Sequence, residues 1–155
     1  MRLRFVWIGK TKDRCLAELE DDYLRRLSHL APTERVWIAE AKKAAASQLK
    51  SNLDREARAL QTKIGDGILI VLDESGRQFS SPELAQLFEG LMNRGAQAVN
   101  LVVGGFSGIP DQIKKMANVT WSLGKLTLPH ELTRVVVLEQ VYRSMSIIRS
   151  LPYHK

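Results

Sequence analysis

Apolar residues in this chain fall into short unbroken blocks and into longer stretches with helical spacing, and the two kinds alternate along its length. The blocks are Arg2 to Ile8, Arg35 to Ala39 around Val36-Trp37-Ile38, Ile68-Leu69-Ile70-Val71-Leu72, Val99-Asn100-Leu101-Val102-Val103 and the shorter Val119-Thr120-Trp121-Ser122. Blocks that are apolar on both sides predict strands covered on both faces, as in a parallel sheet. Between them, Leu16, Leu19, Tyr23, Leu24 and Leu27 predict a helix capped by Thr11 or Asp13. Leu49, Leu53, Ala57, Leu60 and Ile64 predict a second, from about Ala44 to Ile64. Asp73 to Ser80 is polar and predicts a loop; Ser81-Pro82-Glu83 then opens a helix with Leu84, Leu87, Phe88, Leu91 and Met92 as its stripe and Gly95 as its stop. Ile109-Pro110-Asp111 opens a short helix, with proline in its first turn. The last helix, roughly His130 to Ile148, is so apolar through Val135-Val136-Val137-Leu138 that it needs cover on more than one side, from the sheet or from a second subunit. Strand and helix in this alternation predict one α/β domain over residues 1–155, with a parallel sheet and helices on both faces.

One stretch fits neither period. Leu123-Gly124-Lys125-Leu126-Thr127-Leu128-Pro129 is nearly as apolar as a strand, and an apolar loop needs something to cover. Gly104-Gly105-Phe106-Ser107-Gly108 follows the fourth block, at the strand end where open α/β sheets hold ligands. Its glycines suit either close approach of a ligand to the backbone or a tight strand-to-helix turn. The spacing is neither GxGxxG nor a Walker loop. Asp73-Glu74, closing the third block, suit a ribose hydroxyl or simply solvent.

Composition narrows the partners. A length of 155 residues with 45% hydrophobic content fits a single core. The net charge of +6 and the isoelectric point near 9.7 favour an anionic partner, most commonly nucleic acid. Cys15 is the single cysteine, so no internal disulfide forms and a cytoplasmic, reducing compartment is expected. Phe5-Val6-Trp7-Ile8 is too short for a signal peptide or a membrane span. His29, His130 and His154 show no metal-ligand spacing, and no G-x-S-x-G occurs. The tail gathers Arg149, Tyr153, His154 and Lys155, a stacking ring and an imidazole among cations, which suits a splayed RNA base and its phosphates or else a solvated basic end. Arg143 follows Glu139 by four residues, so an ion pair along the helix accounts for both as well as a functional role does.

Taken together, Gly104-Gly105-x-x-Gly108, Trp121-Ser122-Leu123, Leu126-Thr127-Leu128-Pro129-His130, Arg134, Glu139-Gln140-Val141-Tyr142-Arg143, Ser146-Ile147 and Pro152-Tyr153-His154 resemble the ribosomal RNA large-subunit methyltransferase H family. The likeness spans the chain in length and element order, with its specific motifs in the last third. It implies a SPOUT-type parallel sheet with helices on both faces and a C-terminal trefoil knot, a topology that periodicity does not reveal and that general chain-threading rules disfavour. It implies S-adenosyl-L-methionine (SAM) as methyl donor, N3 of a pseudouridine in 23S ribosomal RNA of the ribosome as acceptor, and a homodimer paired through the last helix. By the same resemblance Leu72, Gly104, Gly105, Leu123, Gly124, Lys125, Leu126, Thr127 and Leu128 surround the donor. His154 would be the general base, with solvent or an RNA group as the alternative proton acceptor, Tyr153 would stack on the target base, and Arg143 would steady an oxygen or phosphate; no metal and no membrane is expected. Many relatives carry Pro-Glu where this chain has Phe106-Ser107, which removes any carboxylate contact at that point. Two other classes share parts of the pattern. A non-catalytic RNA- or ribosome-binding module would have no donor affinity, and a dinucleotide-dependent oxidoreductase would need a GxGxxG near the first strand.

Overall fold

The first strand, β1 (Arg2–Ile8), alternates its side chains between two cores. Leu3, Phe5 and Trp7 enter one and Val6 and Ile8 the other, all fully buried. That division sets the architecture in the computed structural model, which describes residues 1–40 and 46–154, without the side chains of 46–50 and 154. After β1 come α1 (Arg14–Ser28), β2 (Thr33–Ile38), α2 (Ala46–Lys63), β3 (Ile68–Gln78) and α3 (Ser81–Asn93). They are followed by β4 (Ala98–Val103), α4 (Asp111–Met116), β5 (Val119–Ser122), α5 (His130–Ile148) and a closing 3₁₀ turn, Pro152–His154. The five strands form an all-parallel sheet in the order β2-β1-β4-β3-β5. In register, Phe5 faces Arg35 of β2 and Leu101 of β4, while Ile70 of β3 faces Leu101 and Val119 of β5.

One sheet face is covered by α1, α3 and α5 through Leu27, Leu84, Phe88, Leu91, Val137, Leu138, Val141 and Met145. The other is covered by α2 and α4 through Ala57, Leu60 and Ile113, which meet Ile38, Leu69, Val71 and Val102. Each large apolar side chain removed from water here contributes about 1.5–3 kcal/mol, so the two cores rather than the surface ion pairs hold the sheet between its helices. No helix among the described residues is long and apolar enough to cross a membrane.

Local chemistry sets the helix ends. Asp13 caps α1 by accepting the Leu16 N–H at 3.0 Å, and Ser80 caps α3 in a reciprocal box with Glu83. α4 starts one residue later than expected, so Pro110 is its cap rather than part of its first turn. The predicted start of α2 at Ala44 lies outside the described residues, and β2 begins at Thr33, two residues earlier than its apolar block.

The polar stretch after Leu72 departs from expectation. It continues β3 to Gln78 instead of leaving the sheet, and Leu72 and Arg77 are both partnered with Trp121 of β5. The intervening chain passes against the β5 backbone: a Cβ on Gly76 would stand 2.6 Å from the Thr120 carbonyl carbon and oxygen. Such an approach is open only to glycine.

Candidate active site

At the C-terminal ends of β3 and β5 the chain turns through residues 123–129 before entering α5. The bend is held by Ser122, whose hydroxyl accepts the Gly124 N–H at 3.2 Å and donates to the Gly124 carbonyl at 3.1 Å. Gly124 has φ +140°, and a Cβ there would meet nothing within 4 Å, so the glycine is required by the backbone and faces open space. A cleft of about 200 Å³ lies here, walled by Leu72, Trp121, Leu123, Leu126 and Leu128, with Asp73, Glu74, Ser122, Thr127 and Thr133 as its polar groups. Leu126 is 82% exposed, so the chain's own side chains do not fill the apolar bend.

Asp73 is the structured charge of this lining. Its Oδ1 accepts the Ser75 N–H at 3.1 Å and the Ser75 hydroxyl at 2.5 Å, and its Oδ2 lies 2.5 Å from Lys114 Nζ. Burial alone would raise its pKa, but Lys114 and Ser75 outweigh that and hold the carboxyl below its ordinary value. On the α5 side of the cleft, Thr133 donates to the Pro129 carbonyl at 3.1 Å. Glu131 accepts the N–H groups of Lys12 and Asp13, both at 3.1 Å, which fastens the start of α5 to the loop after β1. Burial works against ionisation of Glu131 too, and the two amides overcome it, so its pKa is lowered.

Six of the predicted donor contacts, Leu72, Leu123, Gly124, Leu126, Thr127 and Leu128, meet in this one cleft. Lys125 belongs to the same bend but stands outside the lining, as do Gly104 and Gly105, which follow β4, the strand next to β3. Their missing side chains make room for the chain itself. A Cβ on Gly104 would lie 2.6 Å from the Gly108 carbonyl carbon, and one on Gly105 2.6 Å from Glu40 Oε1, which accepts the Phe106 N–H at 2.9 Å. The tight-turn alternative therefore accounts for Gly104 without a ligand.

Tyr153 and Arg143 form a separate cluster on the later turns of α5. Arg143 donates to Glu139 Oε1 from Nε at 2.9 Å and from Nη2 at 2.5 Å, as the four-residue spacing anticipated, and lies 4.9 Å from the Tyr153 ring centre. The Tyr153 hydroxyl is 3.2 Å from both the Tyr23 hydroxyl and Glu139 Oε1, and its ring meets Tyr142 edge-on at 4.7 Å. Burial, then these neighbours, push the Tyr153 phenol above its usual range and keep it protonated at neutral pH. The side chain of His154 lies outside the described residues. Thr133 joins the cleft without any sequence signal, since a threonine in the first turn of a helix usually serves only that turn.

A family model described as "Predicted SPOUT methyltransferase" matches residues 1–154, and the chain belongs to that family. Within it, the sequence is similar to the ribosomal RNA large subunit methyltransferase H of Caldicellulosiruptor saccharolyticus, at 36% identity over 154 residues and 99% of each chain. The resemblance carried by the Leu126-Thr127-Leu128-Pro129-His130 and Pro152-Tyr153-His154 motifs thus extends over the whole chain. In fold the chain is similar to a probable methyltransferase from Bordetella pertussis Tohama I, with a TM-score of 0.57, 14% identity, and 92% of this chain and 95% of that one covered. It is also similar in fold to a putative methyltransferase from Legionella pneumophila solved with bound cofactor SAM, with a TM-score of 0.50, 9% identity, and 93% of this chain and 66% of that one covered.

Proposed function

We propose that this chain is a single-domain enzyme that methylates N3 of a pseudouridine in 23S ribosomal RNA, using SAM, as a homodimer in the cytoplasm. The observation that carries the reading is the open apolar cleft made by residues 123–128 against Leu72 in a chain of the SPOUT methyltransferase family. The name of its relative, which specifies large-subunit ribosomal RNA, supports the substrate, and the net charge of +6 suits it. The SAM bound in the similarly folded Legionella protein supports the donor. Two features of the cleft fit that donor: apolar walls for an adenosyl group and a carboxylate for its positive charge. Lys125, Gly104 and Gly105 complete the donor set that the resemblance implies, from the same bend and from the adjoining strand. Membership of the SPOUT methyltransferase family supports the trefoil knot that the resemblance implies.

Bound SAM supplies an electrophilic methyl group on a cationic sulfonium. Leu72, Leu123, Leu126 and Leu128 keep water from the reacting atoms, and a dry wall favours a transition state in which an anionic imide and a cation neutralise each other. His154, the residue nearest in ordinary pKa to neutrality, takes the N3 proton; Tyr153 stacks on the target base and Arg143 steadies an oxygen or phosphate. From Thr133 to Tyr142 is roughly 13 Å along a helix, so within one chain the Tyr153 cluster stands apart from the cleft that Thr133 lines. A second copy supplies the tail to that cleft in our reading. The incompletely covered stripe Leu132, Val136, Glu139, Arg143 and Ile147 along α5 is the surface on which two copies pair.

Incubating the protein with labelled SAM and ribosomes from cells lacking this activity, then mapping the label, tests the assignment. Label at N3 of one pseudouridine of the large-subunit RNA is expected; ribosome binding without donor affinity would mark the RNA-binding module instead. His154→Ala should slow turnover about 10²-fold while SAM affinity stays within about twofold, and unchanged turnover would remove His154 from its role.

A further inference from the structure

A carboxylate in a cleft built for a cationic donor has a consequence after the methyl group has gone. Asp73 is largely withdrawn from solvent, with 13% of its side chain exposed, whereas its counter-ion Lys114 reaches it from α4 and remains 34% exposed. Ser75 fixes one carboxylate oxygen through two hydrogen bonds, so the group is oriented before any ligand arrives. Among the described residues the other oxygen is matched to the partly exposed Lys114 ammonium, which can turn to water. Leu72 and Trp121 in the same wall lower the local dielectric and lengthen the reach of the charge.

Resting on the reading of this cleft as the SAM site, we propose that Asp73 distinguishes the methyl donor from its product by sensing the sulfonium charge, with Lys114 as the cation that replaces it. During transfer the N3 lone pair forms the new N–CH₃ bond, the S–CH₃ pair remains on sulfur, and the imide proton passes to the base. Asp73 therefore faces a sulfonium before the step and a neutral thioether after it. Its attraction acts on the donor and vanishes for the product, which favours exchange of one for the other. The low pKa of Asp73 keeps its charge in place throughout the neutral range. A hydrogen bond to a ribose hydroxyl or to the amino acid ammonium would act alike on both molecules, so it predicts a different outcome.

Isothermal titration of SAM and S-adenosylhomocysteine into wild type, Asp73→Asn and Lys114→Met separates these cases. Asparagine keeps the oxygen that accepts from Ser75 and loses the charge. Asp73→Asn should weaken SAM about tenfold and S-adenosylhomocysteine less than about twofold. Lys114→Met removes the competing cation and should tighten SAM about threefold or more, with the product little changed; it carries the test if Asp73→Asn fails to fold. Equal weakening of both ligands by Asp73→Asn, or no change in either, overturns the proposal. Failure of wild type to bind SAM at all overturns the cleft assignment on which it rests, a result distinct from the other two.

Discussion

Gly76→Ala is expected to cost about 3 kcal/mol or more and to lower the melting temperature by roughly 6–12 °C. The added Cβ would lie 2.6 Å from the Thr120 carbonyl carbon and oxygen and 2.8 Å from the Trp121 carbonyl carbon. All three are backbone atoms, and none can step aside as the end of a long side chain can. Nor can the irregular segment lift away cheaply, because Leu72 before it and Arg77 after it are both partnered with Trp121. Relief would have to break the β3–β5 pairing, and with it the wall that Leu72 and Trp121 give the cleft. Gly90→Ala is the matched control. It lies inside α3, where a Cβ would meet nothing nearer than the Arg94 guanidinium at 3.8 Å, so alanine should stabilise by about 0.5–1 kcal/mol. Thermal unfolding of the two variants side by side checks both signs; a Gly76→Ala protein that melts with wild type would mean that the strands do not approach so closely.

Arg134→Met is expected to cost about 3 kcal/mol, seen as a lower urea midpoint at unchanged slope. The side chain is fully buried yet charged, and burial pushes its pKa down while the carboxylates of Glu20, Glu131 and Glu40 oppose that. Its Nη2 donates to the Ile8 carbonyl at 2.6 Å and its Nη1 to the Thr11 hydroxyl at 2.8 Å. Thr11 in turn donates to Glu20, itself fully buried and held by Arg35 at 3.1 Å. Methionine fills much of the volume but leaves the Ile8 carbonyl without its donor and Glu20 without one of its neighbouring cations. Because Arg134 adjoins Thr133 at the cleft, the same network fixes where α5 starts relative to the bend. A midpoint shift worth less than about 0.5 kcal/mol would show that the network does not hold the start of α5.

Much of the scaffold was legible because burial on two faces leaves a plain mark. The blocks at Phe5-Val6-Trp7-Ile8, Ile68-Leu69-Ile70-Val71-Leu72 and Val99-Asn100-Leu101-Val102-Val103 became central strands, and α5 runs from His130 to Ile148 as its pattern indicated. The second half of β3 was not legible. Asp73-Glu74-Ser75-Gly76 forms an irregularity in β3 between Leu72 and Arg77, and Arg77-Gln78 then pairs with the edge strand β5, where no apolar side chain is needed, so the stretch has the composition of a loop. Gly76 is invisible for a related reason: what it approaches lies more than forty positions away in the sequence. In the site, the apolar bend announced itself by fitting neither period, and it does line an open cleft. Gly104 shows the converse, since close approach by the chain's own Gly108 backbone demands glycine as strictly as a ligand would, whereas Gly105 meets first the Glu40 carboxylate, the end of a side chain that can step aside. Asp73 was visible only as one of two acidic residues; its pairing with Lys114 depends on α4 lying beside the end of β3.

The central claim is that residues 123–128 and Leu72 hold a methyl donor, and equilibrium dialysis of labelled SAM against wild type and Gly124→Val tests it most directly. Valine would put its side chain into the open space beside Gly124 and strain a backbone at φ +140°. Saturable binding by wild type, weakened at least about tenfold in a Gly124→Val protein that still folds, is the predicted result. No saturable binding by wild type, or equal binding by the two proteins, would contradict it.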